Sequence, residues 1–214
     1  MDNGLIEDPY YRLNERSLQW IDKEDWIYEV SFDAGALTRG YEHIRLEFLG
    51  LDTYADVFLN ETQILTADNM FRRWAAEVKP LLKERGNVLR IYFHSPIKKA
   101  LPQYESLPYR YEAWNDQADN GGLAGKKLSP FTRKAGYHYG WDWGPRLVTS
   151  GIWRPVKLQG WKTYSITSTK SRRKPPVWRH RWRSKRRHPS KTLSSPSPTA
   201  NGCSVRAACN FTSA

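Results

Sequence analysis

From Trp26 to His94 the chain alternates apolar and polar side chains in short bursts, each closed by turn formers. Trp26, Tyr28, Val30 and Phe32 interleave with Ile27, Glu29, Ser31 and Asp33, which predicts a strand with one strongly apolar face. Ile44, Leu46 and Phe48 alternate with Arg45 and Glu47 as far as Gly50, and Ala55, Val57 and Leu59 alternate with Tyr54, Asp56 and Phe58. Asn60 and Glu61 then make a turn before a further strand over 63–66. Leu89, Ile91 and Phe93, interleaved with Arg90, Tyr92 and His94, give another clear strand. Residues 71–78 are strand-like with a mixed pattern, and 152–161 reads as a closing strand.

Helical signals are few. Residues 79–86 have the length of one helical turn ended by Gly86. Residues 2–16 read as an irregular lead-in, and 164–167 as the start of a crossing to a next domain. From 95 to 129 there is little periodicity and much Gly, Pro, Asn and Asp, so a connection of about 35 residues is expected there. That is far beyond the usual loop length and marks a functional or disordered segment. Several short strands between turns, with almost no helix, predict an all-β sandwich. Alternation alone fits a jelly roll and an immunoglobulin-like topology equally.

Composition supports a core but qualifies the charge. Of 214 residues, 39% are hydrophobic, and the formal net charge is +12. Twelve of the 34 Lys and Arg residues fall in 168–214, which has no Asp or Glu; residues 1–167 carry 22 of each sign and are neutral. The basic charge is thus confined to a Ser, Pro and Arg-rich tail that is too self-repulsive and too poor in apolar residues to build a core, and it is expected to be disordered. Two readings of the tail stand side by side: an arm for nucleic acid or a membrane surface, with Lys and Arg for phosphate and Trp for stacking, or the product of a shifted reading frame. Nucleic acid is not an expected partner of residues 1–167. Cys203 and Cys209 both lie in the tail, so the folded part says nothing about redox compartment. No run of 18 apolar residues occurs and Met1 to Gly4 does not read as a signal peptide, which leaves periplasmic, secreted and lysosomal locations open.

Candidate chemistry concentrates at 136–146, where the chain reads GYHYGWDWGPR. Four aromatics, one His and one Asp share eleven residues with three glycines. Trp and Tyr offer a flat apolar face with a polar edge, which suits a sugar ring, and an ionised Asp142 between Trp141 and Trp143 can accept two hydroxyl hydrogen bonds. A salt bridge from Asp142 to Arg133 or Arg146 is the competing expectation. Gly140, Gly144 and Pro145 suit a tight turn. His138 fits loop ordering better than ligand contact, and Trp143 and Trp153 fit core packing as well as a sugar platform. Asn60 and Asn210 each begin a glycosylation pattern. With no Gly-rich phosphate loop, metal-spaced Cys/His cluster or serine nucleophile motif, neither cofactor nor metal is expected.

The runs FTRK at 131–134, YHYGWDWGPR at 137–146 and TSGIWRP at 149–155 closely resemble the end of the N-terminal sugar-binding domain of β-mannosidases of glycoside hydrolase family 2. Similar likeness runs through DNGLIEDPYY at 2–11, Asn14, Glu15, Trp20 to Trp26 and 51–60, so that it covers 2–167 and then stops. The resemblance sharpens the fold to a jelly roll of the galactose-binding type and implies that a first strand precedes Met1. An isolated chain lacking that strand is expected to be poorly soluble. By the same resemblance the partners are a β-mannoside oligosaccharide and downstream immunoglobulin-like and (β/α)8 barrel domains. The two catalytic glutamates lie in that barrel, so this chain alone is expected to be inactive. The resemblance places Asp142 against hydroxyls of the terminal mannose, with Trp141, Trp143 and Gly140 around it, and gives Arg133, Lys134, His138 and Arg146 a place at the rim or domain interface. A stand-alone carbohydrate-binding module is the alternative function.

Overall fold

The structure, a computed structural model, describes residues 6–163 and a two-residue strand at Asn210–Phe211. The expected disorder of 168–214 otherwise lies outside the described residues, as does the crossing at 164–167. The strands are β1 (Trp26–Phe32), β2 (His43–Phe48), β3 (Leu51–Asp52), β4 (Tyr54–Leu59), β5 (Thr62–Asp68), β6 (Trp74–Glu77), β7 (Asn87–His94), β8 (Gly151–Ile152), β9 (Val156–Trp161) and β10 (Asn210–Phe211). All their pairings are antiparallel. One sheet runs in the order β10-β1-β7-β4-β5, the second β6-β2-β9, and β3 with β8 forms a short ribbon.

The alternation read from the sequence becomes the core through register. Tyr28 lies opposite Ile91 and Val30 opposite Leu89, while Ala55 meets Phe93 and Val57 meets Ile91, so the apolar sets of β1, β4 and β7 share one face. Ile44, Leu46 and Phe48 of β2 supply the opposing layer, and the two faces close over one another as a sandwich. Each fully buried Leu, Ile or Phe removed from water contributes roughly 1.5–3 kcal/mol before entropy is charged against it. The all-β jelly-roll assignment holds.

Several local expectations need correction. Residues 95–129 are not structureless: α2 (Pro96–Ser106) is an 11-residue helix. Ser95 caps it by accepting the Lys98 N–H, and Pro96 sits in the first turn, where its missing N–H has no intrahelical partner to lose. Ile97, Ala100, Leu101 and Tyr104 fall at i, i+3, i+4 and i+7 and cover a second core, built with Leu128, Tyr139 and Val148. Two prolines in one helix hid this period. A short α1 (Gly35–Gly40) follows β1, the helical turn at 79–86 shrinks to a 3-10 turn at Lys79–Leu81, and only Trp74–Glu77 of 71–78 is a strand.

The turn after β4 also holds one of the glycosylation patterns. The Asn60 side-chain amide donates to Leu81 O at 2.7 Å and to Asn87 Oδ1 at 3.0 Å, while its oxygen accepts the Val88 N–H at 2.9 Å. This half-buried amide fastens the β4–β5 turn to β7, with both of its N–H groups engaged in the folded state. Among the described residues no helix is long and apolar enough to cross a membrane.

Candidate functional site

The aromatic run forms a compact projection. Residues Gly136–Tyr139 make a 3-10 turn, and the chain then reverses at Gly140, whose φ of +104° is open to glycine and strained for other residues. Space imposes the same choice, because a Cβ at Gly140 would stand 2.6 Å from the Gln117 side-chain carbonyl carbon. The Trp141 N–H donates to Gly144 O and the Gly144 N–H donates back to Trp141 O, both at 3.2 Å. Asp142 and Trp143 are therefore the two central residues of a reciprocally bonded turn. Gln117 holds the turn from below, its N–H donating to Tyr139 O at 2.9 Å and its side-chain amide to Trp141 O at 2.5 Å.

At the tip the side chains face outward. Trp143 is 83% exposed and Trp141 37% exposed, with ring centroids 6.0 Å apart and planes at 45°. Trp143 is thus not a core residue. Asp142 is exposed between them, and among the described residues no cation pairs with its carboxylate. The salt bridge expected from Arg133 or Arg146 is not formed. Arg146 turns inward, fully buried, to pair with Asp22 at 2.6 Å and to donate to Gln19 Oε1 at 2.6 Å. Gln19 answers by donating to Arg146 O at 2.8 Å. Room for the guanidinium exists only because residue 121 is glycine: a Cβ there would lie 2.4 Å from the Arg146 guanidinium carbon.

The other end of the loop is fixed by a second buried ion pair. Lys134, whose side chain is wholly buried, pairs with Asp52 and donates to Thr149 O at 2.5 Å. Burial pushes the Lys134 ammonium below the ordinary lysine range, against the attraction of Asp52. His138 stacks on Tyr137, centroids 4.8 Å apart, and its Nδ1 lies 3.2 Å from Leu147 O. Burial and then the Lys134 charge hold it below the usual histidine range, so the neutral ring bonds the backbone and orders the loop. Beneath it Tyr139 is completely buried, hydroxyl to hydroxyl with Thr132 at 2.8 Å, and burial raises its pKa. In the first anchor, burial likewise raises the Asp22 carboxyl, with the Arg146 charge offsetting part of the shift.

Of the residues singled out by sequence, Gly140, Trp141, Asp142 and Trp143 meet at the tip. Lys134, His138 and Arg146 lie at its base as anchors, and Arg133 is exposed in a separate groove beside Tyr54 and Asp68. Four anchoring partners escaped the sequence reading: Gln19, Asp22, Asp52 and Gln117. The longest of these pairings spans 127 positions, and no local pattern marks it. Trp153 packs under the edge, its Nε1–H donating to Met70 O at 3.0 Å. Among the described residues no group of three or more His, Cys, Asp or Glu is placed to hold a metal ion.

Comparison with known proteins agrees with this architecture. The chain is 42% identical over 158 residues to a β-mannosidase B of Thermothelomyces thermophilus and 37% identical over 158 residues to one of Aspergillus flavus. Those alignments cover 73% of this chain but only 17% and 18% of the relatives, so the chain spans less than a fifth of their length. Among solved structures, a β-D-mannosidase of Dictyoglomus thermophilum superposes with a TM-score of 0.68 at 43% identity, covering 76% of this chain and 19% of that one. Residues 1–154 match the galactose-binding domain-like family of glycosyl hydrolase 2, and the chain belongs to that family.

Proposed function

We propose that residues 1–167 form the sugar-binding domain of a β-mannosidase and complete its substrate pocket with the turn at 141–144. Asn210–Phe211 adds an edge strand to the first sheet of this domain, beside β1. The observation that carries this reading is the contrast at Asp142. Its loop is fixed by two buried ion pairs and by Gln117, yet its own carboxylate is exposed between two exposed tryptophans and unpaired among the described residues. A carboxylate held rigidly with its lone pairs free is prepared to accept two hydroxyl hydrogen bonds from one ring, and the flanking indoles can cover the ring's apolar face.

In this reading the domain orients the terminal mannose and does not cleave the bond. Retaining hydrolysis takes two carboxyl groups about 5 Å apart, one as acid/base and one as nucleophile, and these belong to a downstream (β/α)8 barrel. Hydrogen bonds from ring hydroxyls to Asp142 hold the ring in register with them, so the residue acts by binding. The test is Asp142→Asn in a polypeptide that joins this domain to such a barrel. Losing charge-assisted hydrogen bonds of this kind costs about 3 kcal/mol, roughly 10²-fold in kcat/KM on an aryl β-mannoside. An unchanged kcat/KM for a variant with an unchanged melting temperature refutes the assignment.

A further inference from the structure

One cavity of the domain shares no lining residue with the Asp142 turn. It is a groove of about 710 Å³ between the C-terminal half of α2, the segment 130–133 and the paired strands β4 and β5. One wall is the cross-strand pair of Tyr54 and Asp68, and the other is Gln103 and Ser106 of α2. Phe131 and Tyr111 line it as well, their rings 5.6 Å apart at 61°, with Tyr104 edge-on to Phe131 behind them. Tyr54 donates its hydroxyl to Phe131 O at 3.2 Å, which joins one wall to the segment 130–133.

The hydroxyls of Tyr54, Ser106, Tyr111 and Thr132 already hold hydrogen bonds, whereas the side chains of Asp68, Arg133 and Gln103 hold none among the described residues. Asp68 and Arg133 both line it and both act on Tyr54, where the carboxylate reinforces the rise caused by burial and the guanidinium opposes it. Neither forms an ion pair within 4 Å, with the other or with any described residue. The Gln103 amide is exposed and takes part in no hydrogen bond among the described residues. A carboxylate, a guanidinium and an amide set around aromatic rings can recognise a ligand bearing several hydroxyls and one apolar face. With one charge of each sign the groove has no excess charge to favour an ionic ligand, and the carboxylate accepts while the guanidinium donates, a pairing that suits the hydroxyls of a neutral one. The volume is ample for a pyranose with its neighbour.

We propose that this groove is a second carbohydrate site, which takes a neutral pyranose unit of a glycan against Tyr111, with Asp68, Arg133 and Gln103 on its hydroxyls. It goes beyond the role assigned to Asp142, and the two stand or fall separately. The test titrates the full 214-residue chain with β-1,4-mannotriose and follows amide and indole NMR shifts. Asp142→Asn is the background, so that the turn at 141–144 is weakened while the groove is intact. Saturable shifts are expected, with affinity at least tenfold weaker in Tyr111→Ala and in Arg133→Gln, both on the exposed rim. Arg133→Lys, which keeps charge without the guanidinium fork, is expected to recover part of the loss. Absence of saturable shifts in the Asp142→Asn background, or equal affinity in the Tyr111→Ala and Arg133→Gln variants at unchanged melting temperature, overturns the proposal.

Discussion

In the sandwich, Phe48, Leu59, Ile91 and Phe93 are sealed by apolar neighbours, whereas in the region from 95 to 150 the largest sealed side chain is a charged one, Arg146. The first region is stabilised by area removed from water, and it tolerates imprecise neighbours as long as volume is kept. The second has a small apolar core and depends on two ion pairs, Arg146 with Asp22 and Lys134 with Asp52. Buried ion pairs add little net stability because desolvation offsets attraction, but they permit only one arrangement. The turn at 141–144 is thereby held in that single arrangement, which bulk apolar burial does not guarantee.

This contrast can be broken most forcefully at Arg146. Arg146→Met leaves Asp22 buried without its partner and is expected to cost about 3–5 kcal/mol in urea unfolding. Adding Asp22→Leu is expected to restore most of that loss, because the unpaired charge and not the missing contact is what destabilises. A double variant no more stable than the single one would show that the pair itself carries the stability. In the sandwich the loss has another origin. Leu89→Ala is expected to lose about 2–4 kcal/mol through lost burial and a residual cavity, with no unpaired charge for a second substitution to remove.

Acid separates the two regions next. Burial alone would raise Asp25 and Asp56, but the Ser95 N–H and Tyr92 hydroxyl for Asp25, and His94 with Thr66 for Asp56, outweigh it and hold both below the ordinary carboxylate value. A carboxyl depressed in the fold contributes stability above the unfolded pKa of about 3.9, and that contribution is lost as pH falls through the folded value. Asp22, raised by burial, runs the other way: its contribution is complete below about 3.9 and is lost as pH rises through its folded value. Comparing urea midpoints at pH 7 and pH 3, Asp56→Asn is expected to lose less stability on acidification than the parent, and Asp22→Asn more. The Asp56 difference should stay under about 1 kcal/mol, since the pair is partly solvated. Equal acid losses in all three proteins would remove the distinction.

The smallest effect is expected at the surface. Arg39 and Glu84 pair at 2.7 Å with both side chains more than half exposed. Arg39→Ala should change stability by no more than about 0.5 kcal/mol, measured as a urea midpoint, and the change should vanish at high salt.

Much of the sandwich was legible because a strand announces itself locally. Ile44, Leu46 and Phe48 must all face one way, and two positions of sequence are enough to show it. The candidate tip was legible for a different reason: Trp141, Asp142, Trp143 and the glycines beside them are neighbours in the chain as well as in space. Its supports were not. Nothing near Gln117 announces that its amide will hold the Trp141 carbonyl, and helix α2 was masked by Pro96 and Pro102, which punctuate a sequence even when a helix accommodates them. Arg133 read as a neighbour of the tip and instead lies beside Tyr54 and Asp68, since one step along an extended chain reverses the direction of a side chain.

By itself the sequence determined strands β1, β2, β4 and β7, the apolar face of each, the confinement of excess charge to 168–214 and the composition of the turn at 141–144. The tertiary structure alone decided that Arg146 and Lys134 are interior anchors and not rim contacts, that the Asp142 carboxylate has no ion-pair partner among the described residues, and that the Asn60 amide fastens its turn to β7. The division follows range. Side-chain alternation and turn chemistry act between residues a few positions apart, whereas the choice of partner for a charge depends on which distant segments the folded backbone brings within a few ångströms.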